Sequence, residues 1–187
     1  SAGLAAGGVG GQARTKEQSM TTLPLAPAAA SVSAPTPPVA YDFAARRHMI
    51  DAESLFSTGR LASAGQLYGF VAECGLKALL LACGILPDPD GGIPGKHPEK
   101  PGKSHPMRQH MPSLTDRITA HGQLIPDGLQ AAKYMATLPH LGHFNDWSVD
   151  HRYWRDAALP LTSVANWRSA AQEIANMLDQ AKQDGVL

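Results

Sequence analysis

The run from Leu61 to Cys83 constrains this chain more than any other stretch. Leu61, Ala64, Leu67, Tyr68, Val71, Ala72, Cys74, Gly75, Ala78, Leu79 and Ala82 leave few polar positions on any side. A surface helix needs only one apolar stripe. A helix apolar on most sides must be covered on most sides, so the pattern predicts a central helix over 61–83. Gly84 suits the position just past its end, where glycine adopts a left-handed backbone without steric cost. Two charges interrupt the run. Glu73 and Lys77 stand four residues apart with the acid first, the favourable order for neighbours one turn apart. Charged side chains are seldom fully buried unless paired. The pair either lies on an exposed strip, or simply satisfies itself, or anchors an internal polar network with groups from elsewhere. Asp150, Arg152 and Tyr153 are the expected partners, since a satisfied network would fix one packing arrangement.

The rest of the chain reads as helices around that centre. Phe43, Arg47, Ile50, Ala52, Leu55 and Phe56 give a helical stripe through 40–57, stopped by Ser57-Thr58-Gly59. Residues 86–112 are dense in proline and glycine and predict a long loop, a type often functional or mobile. Ser113 is the expected cap of a short helix to about Ala120, with Asp116 favourable in its first turn. Pro126-Asp127 opens another, with Leu129, Ala132, Met135 and Leu138 expected inward and Pro139 ending it. Residues 140–159 read as irregular and aromatic. Pro160 suits the start of a last helix to about 183, with a stripe of Leu161, Val164, Trp167, Ala171, Ile174, Met177, Leu178 and Ala181. Five helices without strand-like alternation predict an all-α, four- to five-helix up-and-down bundle over 39–187.

Residues 1–38 are rich in Ala, Gly, Ser, Thr and Pro, and Ala34-Pro35-Thr36-Pro37-Pro38 favours polyproline II, so an extended or disordered arm is expected there. Met20 is the expected natural start, with 1–19 a vector-derived leader or misassigned upstream sequence. No run approaches the length of a membrane span, and no basic-flanked apolar stretch marks a signal peptide. Cys74 and Cys83, nine residues apart, fall on opposite helix faces and read as small buried hydrophobes, which suits a reducing, cytoplasmic setting.

Composition narrows the function classes. Lys plus Arg and Asp plus Glu both number 16, so the formal net charge is zero. Whole-chain electrostatics give no support for nucleic-acid or membrane binding, though a local basic patch remains compatible. Metal ligation finds little support. His140 and His143 are spaced three apart and His105 and His110 lie in the long loop, but the tight Cys/His quartets or paired histidines of zinc sites are absent. The Gly91–His97 stretch lacks the phosphate-loop pattern and no strand precedes it. The segment from Phe144 to Trp154 holds four aromatics in eleven residues. Trp147 and Tyr153 are expected either to close over the core or to offer a stacking surface for a base, with Arg152 or Arg155 on its phosphate.

Several pieces, taken in order, resemble the HEPN family: Asp51-Ala52-Glu53-Ser54-Leu55, then Ala62–Tyr68, then Ala72-Glu73-Cys74-Gly75-Leu76-Lys77-Ala78-Leu79-Leu80. His105–Leu114 is similar to the entry to that family's third helix, and Trp147–Tyr153 to a segment of one of its branches. The resemblance covers about 42–180. It implies a helical bundle, often dimeric, often paired with a nucleotidyltransferase-type partner protein, and in many members a metal-independent RNase of toxins or defence systems. Those enzymes use Arg and His spaced R-x(4–6)-H, the His as general acid/base and the Arg on the developing phosphate charge. This sequence departs from that spacing. Arg117 and His121, one helical turn apart, are the nearest pair and the expected catalytic residues if catalysis persists. Arg108 and His110 are expected binding residues, together with Trp147, Arg152 and Tyr153. The leading expectation is a nucleotide-, RNA- or partner-binding protein without an intact RNase motif, needing no cofactor. The others are an RNase with an altered Arg/His site, and a structural interaction module.

Overall fold

The computed structural model describes residues 39–187, so the expectations for 1–38 lie outside the described residues. Five α-helices order those residues: α1 Tyr41–Ser57, α2 Leu61–Ala82, α3 Ser113–Ala120, α4 Gly128–Met135 and α5 Val164–Gln183. Short 3₁₀ turns fill much of the chain between α3 and α5. Among the described residues there is no strand, only an isolated bridge between Lys96 and Ser104, and the domain is all-α.

Local chemistry sets the helix ends. Gly84 follows α2 with φ of 97°, the left-handed conformation expected at that place. Asp127 caps α4, its carboxylate accepting from the Gln130 backbone N–H at 3.0 Å. The cap expected at Ser113 falls instead on Pro112, and Ser113 is the first helical residue.

Contacts along the long helices give their directions. Tyr41, early in α1, lies beside Lys77, late in α2; Glu53, late in α1, accepts a hydrogen bond from Tyr68, early in α2. The two helices are therefore antiparallel, as a three-residue connection requires. Val164 and Trp167 of α5 meet Gly65 of α2, whereas Ile174 and Leu178 meet Gly75, so α5 runs parallel to α2. The bundle thus has three long members. The chain between α2 and α5 returns the length of the bundle through the 86–112 loop, two short helices and the 3₁₀ turns, rather than through further long helices.

Three glycines of α2 explain the fit. A Cβ at Gly69 would lie 1.9 Å from the Trp147 indole, one at Gly65 2.8 Å from the Trp167 ring, and one at Gly75 2.3 Å from Ile174. Glycine costs a helix interior about 1 kcal/mol against alanine; here it opens notches for large side chains. Trp147 Nε1 donates to the Gly65 carbonyl at 3.0 Å, so the ring is buried with its polar atom satisfied.

The α5 stripe is buried as expected from Val164 to Ala181, with Leu161 half-buried in the turn before the helix. Two other stripes are out of phase. In α1 the buried residues are Ala45, Met49 and Ala52, while Phe43 and Ile50 are exposed. In α4 they are Ala131 and Tyr134, while Leu129 is 88% exposed. Tyr134 turns inward because its hydroxyl donates to Asp184 at 2.7 Å, which ties α4 to the end of α5. That bond above all, with those from Lys133 and Gln180, holds the Asp184 carboxyl down at about 2. Both cysteines are free thiols pushed up to about 11, chiefly by burial, so neither is a ready nucleophile. Among the described residues no helix is long and apolar enough to cross a membrane.

A buried carboxylate shared by a lysine and a loop histidine

Glu73 and Lys77 are both buried, so the exposed-strip alternative does not apply. Lys77 Nζ donates to Glu73 Oε1 at 2.6 Å. The second oxygen, Oε2, lies 2.8 Å from Nδ1 of His110. Oε1 already accepts from the Lys77 ammonium, and a carboxylate in such a pair only accepts hydrogen bonds. The His110 ring must therefore carry a proton on Nδ1, and in its neutral form Nε2 is a lone-pair acceptor. The Glu73 side chain is 10% exposed and the His110 side chain 62%, so a hidden carboxylate orients an accessible imidazole.

The surroundings form an open cleft of about 520 Å³ between the start of α1, α2 and the long loop. Tyr41 and Lys77 form one wall, the lysine nitrogen 5.7 Å from the ring centroid. Arg108 and His110 come from the loop. Arg108 is 4.0 Å from Asp88, a contact between largely exposed groups that is worth little and leaves the guanidinium able to turn.

The loop is held in place rather than draped. Ile93, His105, Met107 and Met111 are buried, and the Asp88 and Asp90 side chains accept from the backbone N–H groups of Gly95 and Gly92 at 2.7 and 2.8 Å. Val39 N–H donates to the Asp90 carbonyl at 2.6 Å and Ile93 N–H to the Tyr41 hydroxyl at 3.3 Å, pinning the loop to the start of α1. His105 Nδ1 accepts from the Met107 backbone at 3.2 Å, so its proton sits on Nε2, the opposite tautomer from His110. Burial above all, with His97 and His121 nearby, pushes the His105 imidazole below its ordinary value; Asp88 opposes the shift.

The other expected site residues lie elsewhere. Asp150, Arg152 and Tyr153 do not join the Glu73–Lys77 pair; His110 takes that place. Ser148 caps the 3₁₀ turn Val149–Tyr153, accepting from Asp150 N–H at 3.1 Å, and its own N–H donates to His151 Nδ1 at 3.4 Å. That turn sends His151 inward and leaves Asp150, Arg152 and Tyr153 exposed, with Arg152 4.7 Å over the Tyr153 ring. Trp147 is 2% exposed and is a core residue, not a stacking platform. Arg117 is exposed on α3 and His121 ends that helix; their side chains share no hydrogen bond. His140 Nδ1 lies 2.5 Å from Glu173, with the His143 ring 4.9 Å from that of His140. Among the described residues no group of three His, Cys, Asp or Glu side chains is placed to hold a metal ion.

No family model matches the chain, and no curated protein or solved structure matches it.

Proposed function

We propose that this chain is a HEPN-like helical protein that takes a phosphate group of a nucleotide or RNA into the Glu73–Lys77–His110 cleft, in a toxin–antitoxin or defence setting. One observation carries the reading: a buried carboxylate spends both oxygens on orienting two nitrogen bases at the floor of an open cleft. Lys77 and Arg108 then offer donors to a ligand, and the neutral His110 ring offers the acceptor Nε2. Lys77 uses one of its N–H groups on Glu73 and retains others. Arg108 adds a planar fork suited to phosphate oxygens. The Ala72–Leu80 run that resembles the HEPN signature is the stretch that supplies Glu73 and Lys77. A homodimer and a nucleotidyltransferase-type partner protein belong to the same proposal.

The fixed tautomer of His110 favours a second reading, metal-independent cleavage of RNA. His110 Nε2 would take the proton of a ribose 2′-hydroxyl as its oxygen bonds to phosphorus. The bond from phosphorus to the 5′-oxygen then breaks, that oxygen gains a proton from water, and the hydroxide left takes the proton held on Nε2. Glu73 would stabilise the imidazolium formed, and Lys77 with Arg108 the charge gathering on phosphate. This assigns Arg108 and His110 the roles expected of Arg117 and His121.

Calorimetric titration with adenosine monophosphate and with a single-stranded RNA, in the presence of a chelator, tests both readings. Arg108→Ala is expected to weaken binding about tenfold or more, the effect of losing one charge-assisted contact, and His110→Asn to abolish any cleavage. Arg117→Ala and His121→Ala should leave binding, and any cleavage, unchanged. Loss with the α3 pair and none with the loop pair would overturn the assignment.

A further inference from the structure

His140 and His143 sit at the first turn of the 3₁₀ segment Leu141–Asp146. Side chains three residues apart eclipse on such a turn. The two rings accordingly come together, with centres 4.9 Å apart and planes 31° from parallel. α5 holds each ring by the same nitrogen. Glu173 gives both oxygens to His140: one accepts from its backbone N–H at 3.2 Å, and the other lies 2.5 Å from its Nδ1. The Asn166 carbonyl lies 3.2 Å from Nδ1 of His143. A carboxylate and a backbone carbonyl only accept, so both rings carry a proton on Nδ1.

In their neutral forms both rings therefore turn a lone pair outward on Nε2. The His140 side chain is half exposed. Among the described residues the one sealed side-chain nitrogen or oxygen without a partner belongs to Gln66, so Nε2 of His143 reaches solvent as well. Ring stacking alone places no demand on which nitrogen faces α5. Orienting the same nitrogen on both rings, and freeing the other, is what a metal ion requires of paired histidines. The spacing agrees. Two imidazoles bound through Nε2 to one ion hold their ring centres about 3.2 Å from it, and bond angles of about 90–110° then set the centres about 4.5–5.2 Å apart. The observed 4.9 Å falls inside that range.

We propose that His140 and His143 bind a divalent first-row transition ion, Cu²⁺ most tightly, through their two Nε2 atoms. Neutral imidazoles suit copper, nickel and zinc, whereas magnesium and calcium take oxygen ligands. Copper heads the order of affinity for such nitrogen sites. Glu173 plays the part of the carboxylate that fixes a ligating histidine and raises its basicity, and the Asn166 carbonyl does the same for the second ring. Among the described residues no third His, Cys, Asp or Glu side chain joins the pair, so the ion keeps positions open to water or to an outside donor. The site shares no residue with the Glu73–Lys77–His110 cleft.

The full chain, first stripped of metal, is titrated by calorimetry with Cu²⁺, Zn²⁺ and Mg²⁺, and the copper-loaded protein is followed by electron paramagnetic resonance. Cu²⁺ should bind at micromolar concentration or below and show coupling to two imidazole nitrogens, Zn²⁺ should bind more weakly, and Mg²⁺ not at all. His140→Asn and His143→Asn should each weaken Cu²⁺ binding at least about tenfold and remove one coupled nitrogen. Glu173→Ala leaves both ligands in place and should weaken binding about tenfold, the effect of losing an orienting partner. His97→Asn and His121→Asn should leave the affinity unchanged. Circular dichroism matching the parent chain shows that each variant is folded. Binding only at millimolar Cu²⁺, an affinity kept in both His140→Asn and His143→Asn, or binding lost with His110→Asn instead would each overturn the proposal.

Discussion

The two halves of α2 meet their neighbours in opposite ways. In the first half the helix gives up side chains: Gly65 and Gly69 open notches that Trp167 and Trp147 fill. In the second half it keeps two charges inside the fold, and a histidine from a distant loop comes to them. The first arrangement buries two indole rings against the helix backbone. The second leaves an imidazole and an arginine facing a cleft. The contrast separates what holds this protein together from what it has to offer a ligand.

Breaking the polar half should cost most. Glu73→Ala leaves the Lys77 ammonium buried without a partner, and losing one member of a buried pair costs about 3–5 kcal/mol. Urea unfolding should show that loss, and Glu73→Met with Lys77→Met should recover most of it, since no buried charge then remains. A double variant as unstable as the single would mean the pair is not truly desolvated. In the apolar half, Gly69→Ala drives a methyl into the Trp147 indole, and overpacking of this kind costs about 1–3 kcal/mol or more. A change below 0.5 kcal/mol, in the range of ordinary surface substitutions, would contradict the notch.

Acid should act on both halves, because buried histidines lie against each. Burial above all holds the His105 and His151 imidazoles below their ordinary value of 6.5. Between the lowered folded value and 6.5 the unfolded chain binds more protons, so stability is full above that window and falls as pH drops through it. Melting temperature followed downward from neutral pH should show the decline, and His151→Asn should flatten it. A melting temperature that rises on acidification would refute the sign. The smallest effects are expected at exposed positions. His110→Ala should alter stability by under about 1 kcal/mol, since most of its side chain is exposed, and Arg117→Ala by less than about 0.5 kcal/mol.

What the sequence made legible follows the same division. The central helix, its glycine terminus, the α5 stripe and the all-α class were readable because periodicity over twenty residues leaves few alternatives. The phases of α1 and α4 were not. Phe43 and Ile50 compete with Met49 for the inward face, and Leu129 with Tyr134, whose bond to Asp184 lies fifty residues off in the chain. The partner of Glu73 was unreadable for a similar reason: His110 lies 37 residues away in a proline- and glycine-rich loop without periodicity. The Trp147–Trp154 segment was marked by its aromatics, yet only the fold shows which ring goes in. The glycines of α2 were a usable signal, since Gly65 and Gly69 four apart in an apolar helix announce a close neighbour.

Glu73 fixes the orientation and proton of His110. Nitrogen NMR of the histidine rings tests it most directly, with the signals assigned through His105→Asn and His110→Asn variants. Neutral His110 should carry its proton on Nδ1 and His105 on Nε2. A neutral His110 protonated on Nε2, like a histidine free in solution, would contradict it.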